Sequence, residues 1–254
     1  MGLGEQEVCY MIITKKIHDI VLQNQNLWNR RHTLVKASPC SLFHNLTHAI
    51  PVCWFGDLAS SLPKVITIGT NPSSKEFYKT NRFSPALPSS STADLIDSYN
   101  GYFTRSPYKL WFDKIEPLLN EFGASYYTNL AKSYKCTAIH LDVVSFPFWK
   151  SKDLRNEKNV ISSCVPLFRD LLDEILNNDN VKYIVISGSY NYNLFCDVCG
   201  IATSKMVPFI FGGRNYKIMK TGYKGIPVYA TTLYLPNLYG NLNYSNLYTA
   251  MITL

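Results

Sequence analysis

The chain has 254 residues, 46% of them hydrophobic, which supplies enough apolar surface for a core and excludes a globally disordered chain. Its formal charge is +7, yet only 17% of residues are charged and 18 are tyrosine, so the cationic excess is moderate and no polybasic tail is present. That balance suits a phosphate-bearing partner and equally suits charge carried for solubility.

Seven cysteines stand at 9, 40, 53, 136, 164, 196 and 199, and only Cys196 and Cys199 form a CxxC pair. No second pair completes a zinc or iron–sulfur set, so neither a metal nor a cofactor is expected. No run approaches ~18 uninterrupted apolar residues, so no membrane span is expected. The run Met11-Ile12-Ile13 meets lysines at 15 and 16, too soon for a signal peptide. These features set the expectation of a reduced, cytoplasmic protein.

From Ile12 to Trp28, apolar residues at 13, 17, 20, 21 and 27 predict an amphipathic helix ending near Arg30-Arg31-His32. Pro51 to Gly56 reads as a short edge strand. Lys64 to Gly69 reads as a buried strand, and the loop 69–74 follows directly. The polar, Ser/Pro-rich stretch from Ser84 to Ser98 reads as a loop or lid. Tyr108 to Phe122 carries an apolar face at 108, 111, 112, 115, 118 and 119, a predicted helix closed by Gly123. Ala138 to Val144 reads as a second strand, followed by the aromatic loop from Ser145 to Trp149. Val160 to Leu176 predicts another helix, and Val181 to Ser187 a third strand with Gly188-Ser189-Tyr190 at its end. Ile210 to Thr232 reads as a hairpin region with its turn near Gly222 to Gly225. The last strand, Pro227 to Leu233, leads into Tyr234-Leu235-Pro236-Asn237-Leu238.

Strands alternate with helices, which predicts a three-layer α/β/α fold around a central, mostly parallel sheet. Residues 63–254 form the α/β domain, and residues 1–62 a helical N-terminal extension packed on it. In such sheets ligands bind outside the carboxyl ends of the strands. The loops beginning near residues 69, 145, 187 and 233 are therefore expected to line one cleft.

The segment Gly69-Thr70-Asn71-Pro72-Ser73-Ser74 carries the most information. A glycine leaving a strand permits close approach of a ligand, and Asn-Pro sets a tight turn. The same residues also suit a plain strand-terminating turn, with Ser73 or Ser74 capping the next helix. Asp142, at a strand end, serves equally as a loop cap, a base-reading acceptor or a catalytic carboxylate. Ser187-Gly188-Ser189-Tyr190 suits an anion held by backbone N–H groups, or an ordinary N-cap.

Taken in order, these motifs resemble the uracil-DNA glycosylase superfamily, over roughly Pro63 to Tyr239. Its members carry a Gly-x-Asn-Pro or Gly-x-Asp-Pro loop after the first core strand, and Asn71 occupies the place that holds the attacking water. The resemblance implies that Phe83, twelve residues after Asn71, stacks on an extruded base. It places Asp142 where relatives commonly carry an Asn that reads a pyrimidine edge. A carboxylate accepts from the exocyclic amine of cytosine, so Asp142 tilts the substrate from uracil toward a cytosine-like base. Thr70 and Ser145 are expected beside the same base. Ser73, Ser74, Ser187, Gly188, Ser189, Tyr190, Asn237 and Leu238 are expected to meet the DNA.

The family's final loop usually carries a His that polarises the departing base. Thr231 to Tyr239 holds no histidine, and His140 lies on another strand. Leu235, Leu238 or Tyr239 remains as a wedge for the duplex. Arg82, Arg105, Lys150, Lys152, Arg214, Lys217 and Lys220 are candidates for phosphate contacts or for solvated surface charge.

The resemblance implies a monomeric, monofunctional glycosylase acting on double-stranded DNA and leaving an abasic site. A modified cytosine, such as hydroxymethylcytosine or its glucosylated form in phage DNA, is the preferred substrate, in an antiviral role. Repair of uracil or a mismatched pyrimidine is the alternative enzyme, and a non-catalytic DNA-binding protein the alternative class. A phosphate-binding nucleotide fold ranks last, because the glycine-rich fingerprint with a following Lys-Ser/Thr is missing.

Overall fold

The structure is a computed structural model that describes residues 13–35, 46, 48–77, 81–127, 134–148, 154–211, 213–237 and 243–254. Its helices are α1 (Lys15–Asn29), α2 (Thr92–Asn100), α3 (Tyr102–Arg105), α4 (Lys109–Phe112), α5 (Glu116–Glu121), α6 (Lys158–Asn178), α7 (Ser189–Cys199) and α8 (Tyr244–Ile252). Its strands are β1 (Lys64–Gly69), β2 (Ala124–Ser125), β3 (Cys136–Asp142), β4 (Val181–Ser187), β5 (Val207–Phe211), β6 (Arg214–Tyr223) and β7 (Ile226–Thr231). They form one seven-stranded sheet in the order β2-β3-β1-β4-β7-β6-β5. The strands from β2 to β7 in that order run parallel, and β6 and β5 extend the sheet antiparallel.

The central strands are buried on both faces, which is why β1, β3 and β4 read as near-continuous apolar runs. Helices cover both faces. Tyr223 pairs with Ile226, and its ring meets Phe195 of α7 while its hydroxyl donates to Asp173 of α6. Tyr229 points to the opposite face, since side chains alternate along a strand. There Phe122, just after α5, touches Tyr183, Tyr229 and Tyr248 of α8.

The N-terminal helix α1 packs on α6 and α2. Thr14 caps it by accepting from the Ile17 amide, and the same hydroxyl donates to Glu174 of α6 at 2.8 Å. One residue anchors both the helix end and its neighbour.

Several predicted elements change form. The helix predicted over Tyr108 to Phe122 is two short helices, α4 and α5, with a turn at 113–115 between them. Pro117 explains the break: it lacks an N–H and its ring clashes with the carbonyl four residues back, yet it fits the first turn of α5. The Ser/Pro-rich stretch predicted as a loop contains most of α2. Ser91 and Asp94 form a reciprocal capping box, so part of the serine content is a helix start. Pro51 to Gly56 forms no strand. Phe55 makes one antiparallel bridge with His140, prolonging the edge where the two-residue β2 stops. The predicted 210–232 hairpin is the β6–β7 pair, turning at Lys224 and Gly225 with φ of 48° and 82°, the positive values a two-residue hairpin turn needs. Trp149, Lys150 and Lys152 lie outside the described residues.

No helix among the described residues is long and apolar enough to cross a membrane. Cys196 is buried and Cys199 half-buried on α7, and both are free thiols.

At the amino end of the central strand β1, remote from the cleft, Lys64 is fully buried, with its ammonium 2.6 Å from Asp179. It also donates to the carbonyls of Ser60 and Leu62. Removing one partner of a buried pair leaves a charge uncompensated. We expect Asp179→Ala to lower the unfolding free energy in urea by ~3 kcal/mol. A loss under ~1 kcal/mol would mean that the two carbonyls suffice to solvate the ammonium.

Candidate active site

The carboxyl ends of β1, β3, β4 and β7 open into a cleft with a volume of ≈ 710 Å³. It lies at β1, flanked by β3 on one side and β4 on the other, where the chain crosses from one half of the sheet to the other, the switch point at which open α/β sheets bind ligands. The loops after β1, β3, β4 and β7 all meet there, although few residues of the loop after β3 reach the cleft surface.

Asn71 follows β1 and lines the cleft. Its amide nitrogen donates to the Pro72 carbonyl at 2.7 Å, which fixes the side chain. Its Oδ1 is buried with no hydrogen-bond partner among the described residues. An unsatisfied buried acceptor is costly, and such groups concentrate at sites that meet a ligand or an ordered water. Thr70 also lines the cleft, but its hydroxyl is held by Asn191 Oδ1 on α7 at 2.5 Å.

Asp142 ends β3, is buried, and faces the cleft. His140 stands two residues earlier and therefore on the same face. Its Nε2 is 3.4 Å from Asp142 Oδ1, while Nδ1 lies 2.8 Å from the Thr67 hydroxyl, which in turn meets Tyr126 OH at 2.5 Å. A line of hydroxyls thus reaches from the core to the imidazole and on to the carboxylate. His140 therefore meets the cleft from β3, whereas the loop after β7 carries no histidine. Period-two spacing from Asp142 is the signal that marks it in the sequence.

Both groups need Gly69. A Cβ there would stand 2.3 Å from Asp142 Oδ1 and 2.8 Å from His140 Nε2. Only a residue without a side chain lets them close over the end of β1.

Glu76 is a second buried carboxyl on the cleft wall, at 3% exposure. It sits in the short 3-10 turn Ser74–Glu76 and accepts from Tyr102 OH at 2.7 Å. Burial raises its pKa to about 8, against the opposing pull of the Tyr102 hydroxyl and the Arg82 guanidinium, and the charge of Asp142 raises it further. No periodic pattern in the sequence marks it, because a 3-10 turn is too short to show one.

Other expected residues lie elsewhere. Phe83 is fully buried and does not line the cleft. Its ring stacks on Phe77 at 5.5 Å and Tyr102 at 4.9 Å, so it is a core anchor and offers no face to a base. Burying a phenylalanine gains ~2–3 kcal/mol, which decides its place. Ser145 is buried away from the cleft and donates to Asn24 of α1 at 2.6 Å. Ser73 caps the turn at 74–76 by accepting from the Lys75 amide, which realises the capping alternative, though it still lines the cleft. Ser74 is buried behind it. Ser187 donates to the Leu233 carbonyl and accepts from the Leu235 amide, so it pins the last loop and does not face solvent.

Gly188, Ser189, Tyr190 and Asn237 do line the cleft; Leu238 and Tyr239 lie outside the described residues. Gly188 has φ of 94°, and Tyr234 packs where its Cβ would be, 3.0 Å away. The first turn of α7 thus lines the cleft, behind a glycine N-cap that offers no side-chain cap to its first amides. None of the described cations expected at phosphates, Arg82, Arg105, Arg214, Lys217 or Lys220, lines the cleft. Lys75 and Arg155 do, the latter stacked on Tyr190 at 4.0 Å. Leu235 is fully buried, whereas Leu110 of α4 is 75% exposed at the cleft wall.

The raised pKa of Glu76 has a definite consequence for stability. In the unfolded chain the carboxyl ionises near 4.5, and in the folded chain near 8. Between those values the folded state keeps a proton that the unfolded state has lost, so stability falls as pH rises. We expect the Tm of Glu76→Gln to exceed that of the wild type by a margin that widens from pH 5 to pH 8, on the order of 5 °C or more. Parallel Tm curves would show that Glu76 is ionised throughout. No protein-family model matches this chain, and no curated protein matches it significantly.

Proposed function

We propose that this chain is a DNA glycosylase of the uracil-DNA glycosylase type, acting on a modified cytosine such as hydroxymethylcytosine or its glucosylated form in phage DNA. The observation that carries the reading is the meeting of Asn71, with its unsatisfied Oδ1, and the Asp142–His140 pair in one cleft at the strand ends. Asn71 holds a water against C1′ of the flipped nucleotide. The C1′–N1 bond breaks, the water's hydroxyl takes the place of the base, and one water proton ends on the departing base. Asp142 accepts from the exocyclic amine, and His140 keeps the carboxylate oriented.

The amides opening α7, with Lys75 and Arg155 beside the cleft, suit the flanking phosphates. The cleft is of a size that holds drug-sized ligands, which leaves room for a nucleoside with a substituent on its base. With Phe83 in the core, the stacking surface falls to rings that line the cleft and stay partly open, Tyr108, Trp111, Tyr190 and Tyr234; among them Trp111 and Tyr234 are joined by a 3.3 Å hydrogen bond and Tyr190 is covered by Arg155. With Leu235 buried, the wedge falls to Leu110 among the described residues.

A panel of duplexes carrying hydroxymethylcytosine, its glucosylated form, uracil or a thymine mismatch tests the reaction. We expect abasic sites from the modified cytosines, and a single-turnover rate ~10²-fold lower or more for Asn71→Ala. Efficient release of uracil alone would move the substrate, and no abasic site from any duplex would leave only DNA binding.

Leu110 is tested separately. Replacing it with Ala should slow excision from duplex DNA by roughly tenfold and leave single-stranded substrate near the wild-type rate, because only the duplex charges the cost of extrusion. Equal losses on both substrates would rule out the wedge.

A further inference from the structure

We propose that Glu76 is a second reader of the base and its proton donor: it gives a hydrogen bond to the ring nitrogen beside the amine that Asp142 holds. Two carboxyl groups line one cleft and feel each other's charge, Glu76 from the turn after β1 and Asp142 from the end of β3. An ionised carboxylate only accepts, whereas a protonated one carries an O–H to donate. A pair with one of each matches an edge that presents an N–H donor next to a nitrogen acceptor. Cytosine and its 5-substituted forms present that edge. Uracil offers an N–H at the ring nitrogen and a carbonyl beside it, the reverse pattern.

The surroundings of Glu76 support this division. Tyr102 OH donates to Oε2 at 2.7 Å, and Arg82 Nε approaches the same oxygen at 3.7 Å. Among the described residues no hydrogen bond engages Oε1, which leaves that oxygen to carry the proton. The groups facing the carboxyl are thus Tyr102 from α3, Arg82 from the loop before α2 and Asp142 from β3. Arg82 is drawn away by its hydrogen bonds to the Ser106 and Pro107 carbonyls, so it neutralises Glu76 poorly. Asp142 opposes a second negative charge, and burial does the same, which keeps the proton on Glu76 through neutral pH.

The chemistry closes with this assignment. As C1′–N1 breaks, the Glu76 proton passes to the ring nitrogen and the base departs neutral. The attacking water loses a proton once it has bonded to C1′, and that proton restores the carboxyl. Protonation at the ring nitrogen makes an otherwise poor cytosine leaving group a better one, at a site where the family's usual histidine loop has none.

This inference rests on the glycosylase reading, and single-turnover pH–rate profiles of wild type and Glu76→Gln on duplexes carrying hydroxymethylcytosine or uracil separate the two. The wild type should lose activity on hydroxymethylcytosine above about pH 8. Glu76→Gln, which keeps a donor but has no acid proton, should be ~10²-fold slower on that base and lose the alkaline limb. Any uracil release should change by less than about threefold. A variant that slows equally at every pH, with the limb retained, would make Glu76 structural and overturn the inference while the glycosylase reading stands. A wild type that frees no base from either duplex would overturn both. Thermal melts of the variant at pH 6 establish that it is folded, and Glu76→Asp, which keeps an acid, should retain the limb.

Discussion

The parallel pairing of β1 with β3 places the polar groups at the base of the cleft. Its register sets Gly69 beside Asp142 and Thr67 beside His140. Because paired residues of neighbouring strands share a face, the threonine hydroxyl meets the imidazole, and the missing side chain of Gly69 becomes the space for the carboxylate. The pairing continues beyond the strand ends. Gly69 and Thr70 carbonyls accept from the Val143 and Val144 amides, and Ser73 bridges Phe148. The two loops that carry Asn71 and Asp142 therefore leave the sheet together, and a shift of one residue would turn Asp142 to the other face.

Around this seam lies an aromatic layer of Phe55, Phe83, Tyr102, Phe103, Phe112 and Tyr126. Phe55 and Phe112 touch His140 directly. The layer has an electrostatic effect as well as a packing one. It keeps water from the inner side of the cleft, where a carboxyl resists ionisation and every hydrogen bond counts for more. Glu76 and the Tyr126–Thr67–His140 line owe their character to that dry wall. Phe83 belongs to the same wall: it shapes the environment of the site without meeting a ligand.

The helices extend this arrangement. Thr70 is tied to Asn191 of α7, and Asn191 donates back to the Ser187 carbonyl at the end of β4. Ser187 in turn clamps the loop after β7. Residues that resemble ligand contacts in the sequence are here the pins between loops. They hold the loop of Asn71, the start of α7 and the loop of Tyr234 against one another, the kind of rigid frame that fixes groups around a bound ligand.

Local pattern was enough for much of this molecule. The apolar runs over 64–69 and 181–187, the 3.6-residue face over 160–176 and the glycine at the end of β1 determine two buried strands, a long helix and a loop at the cleft, because each depends only on neighbours along the chain. Pro117 and the Ser91–Asp94 box were equally local, and both carried a legible signal for the broken helix and the start of α2. What no local pattern holds is which side chains meet across the sheet. His140 joins Asp142 by strand alternation, but it becomes part of a site only through Thr67, Tyr126 and the space left at Gly69. Glu76 gains its hydrogen-bond partner from Tyr102, 26 residues on, and that meeting exists only in the folded chain. Phe83 has the same residue type and spacing whether it faces a ligand or the core, and the tertiary packing of Phe77, Tyr99 and Tyr102 decided for the core. Sequence determined the elements and the order of the loops. Register and packing, which join residues far apart in the chain, decided which of them share the cleft.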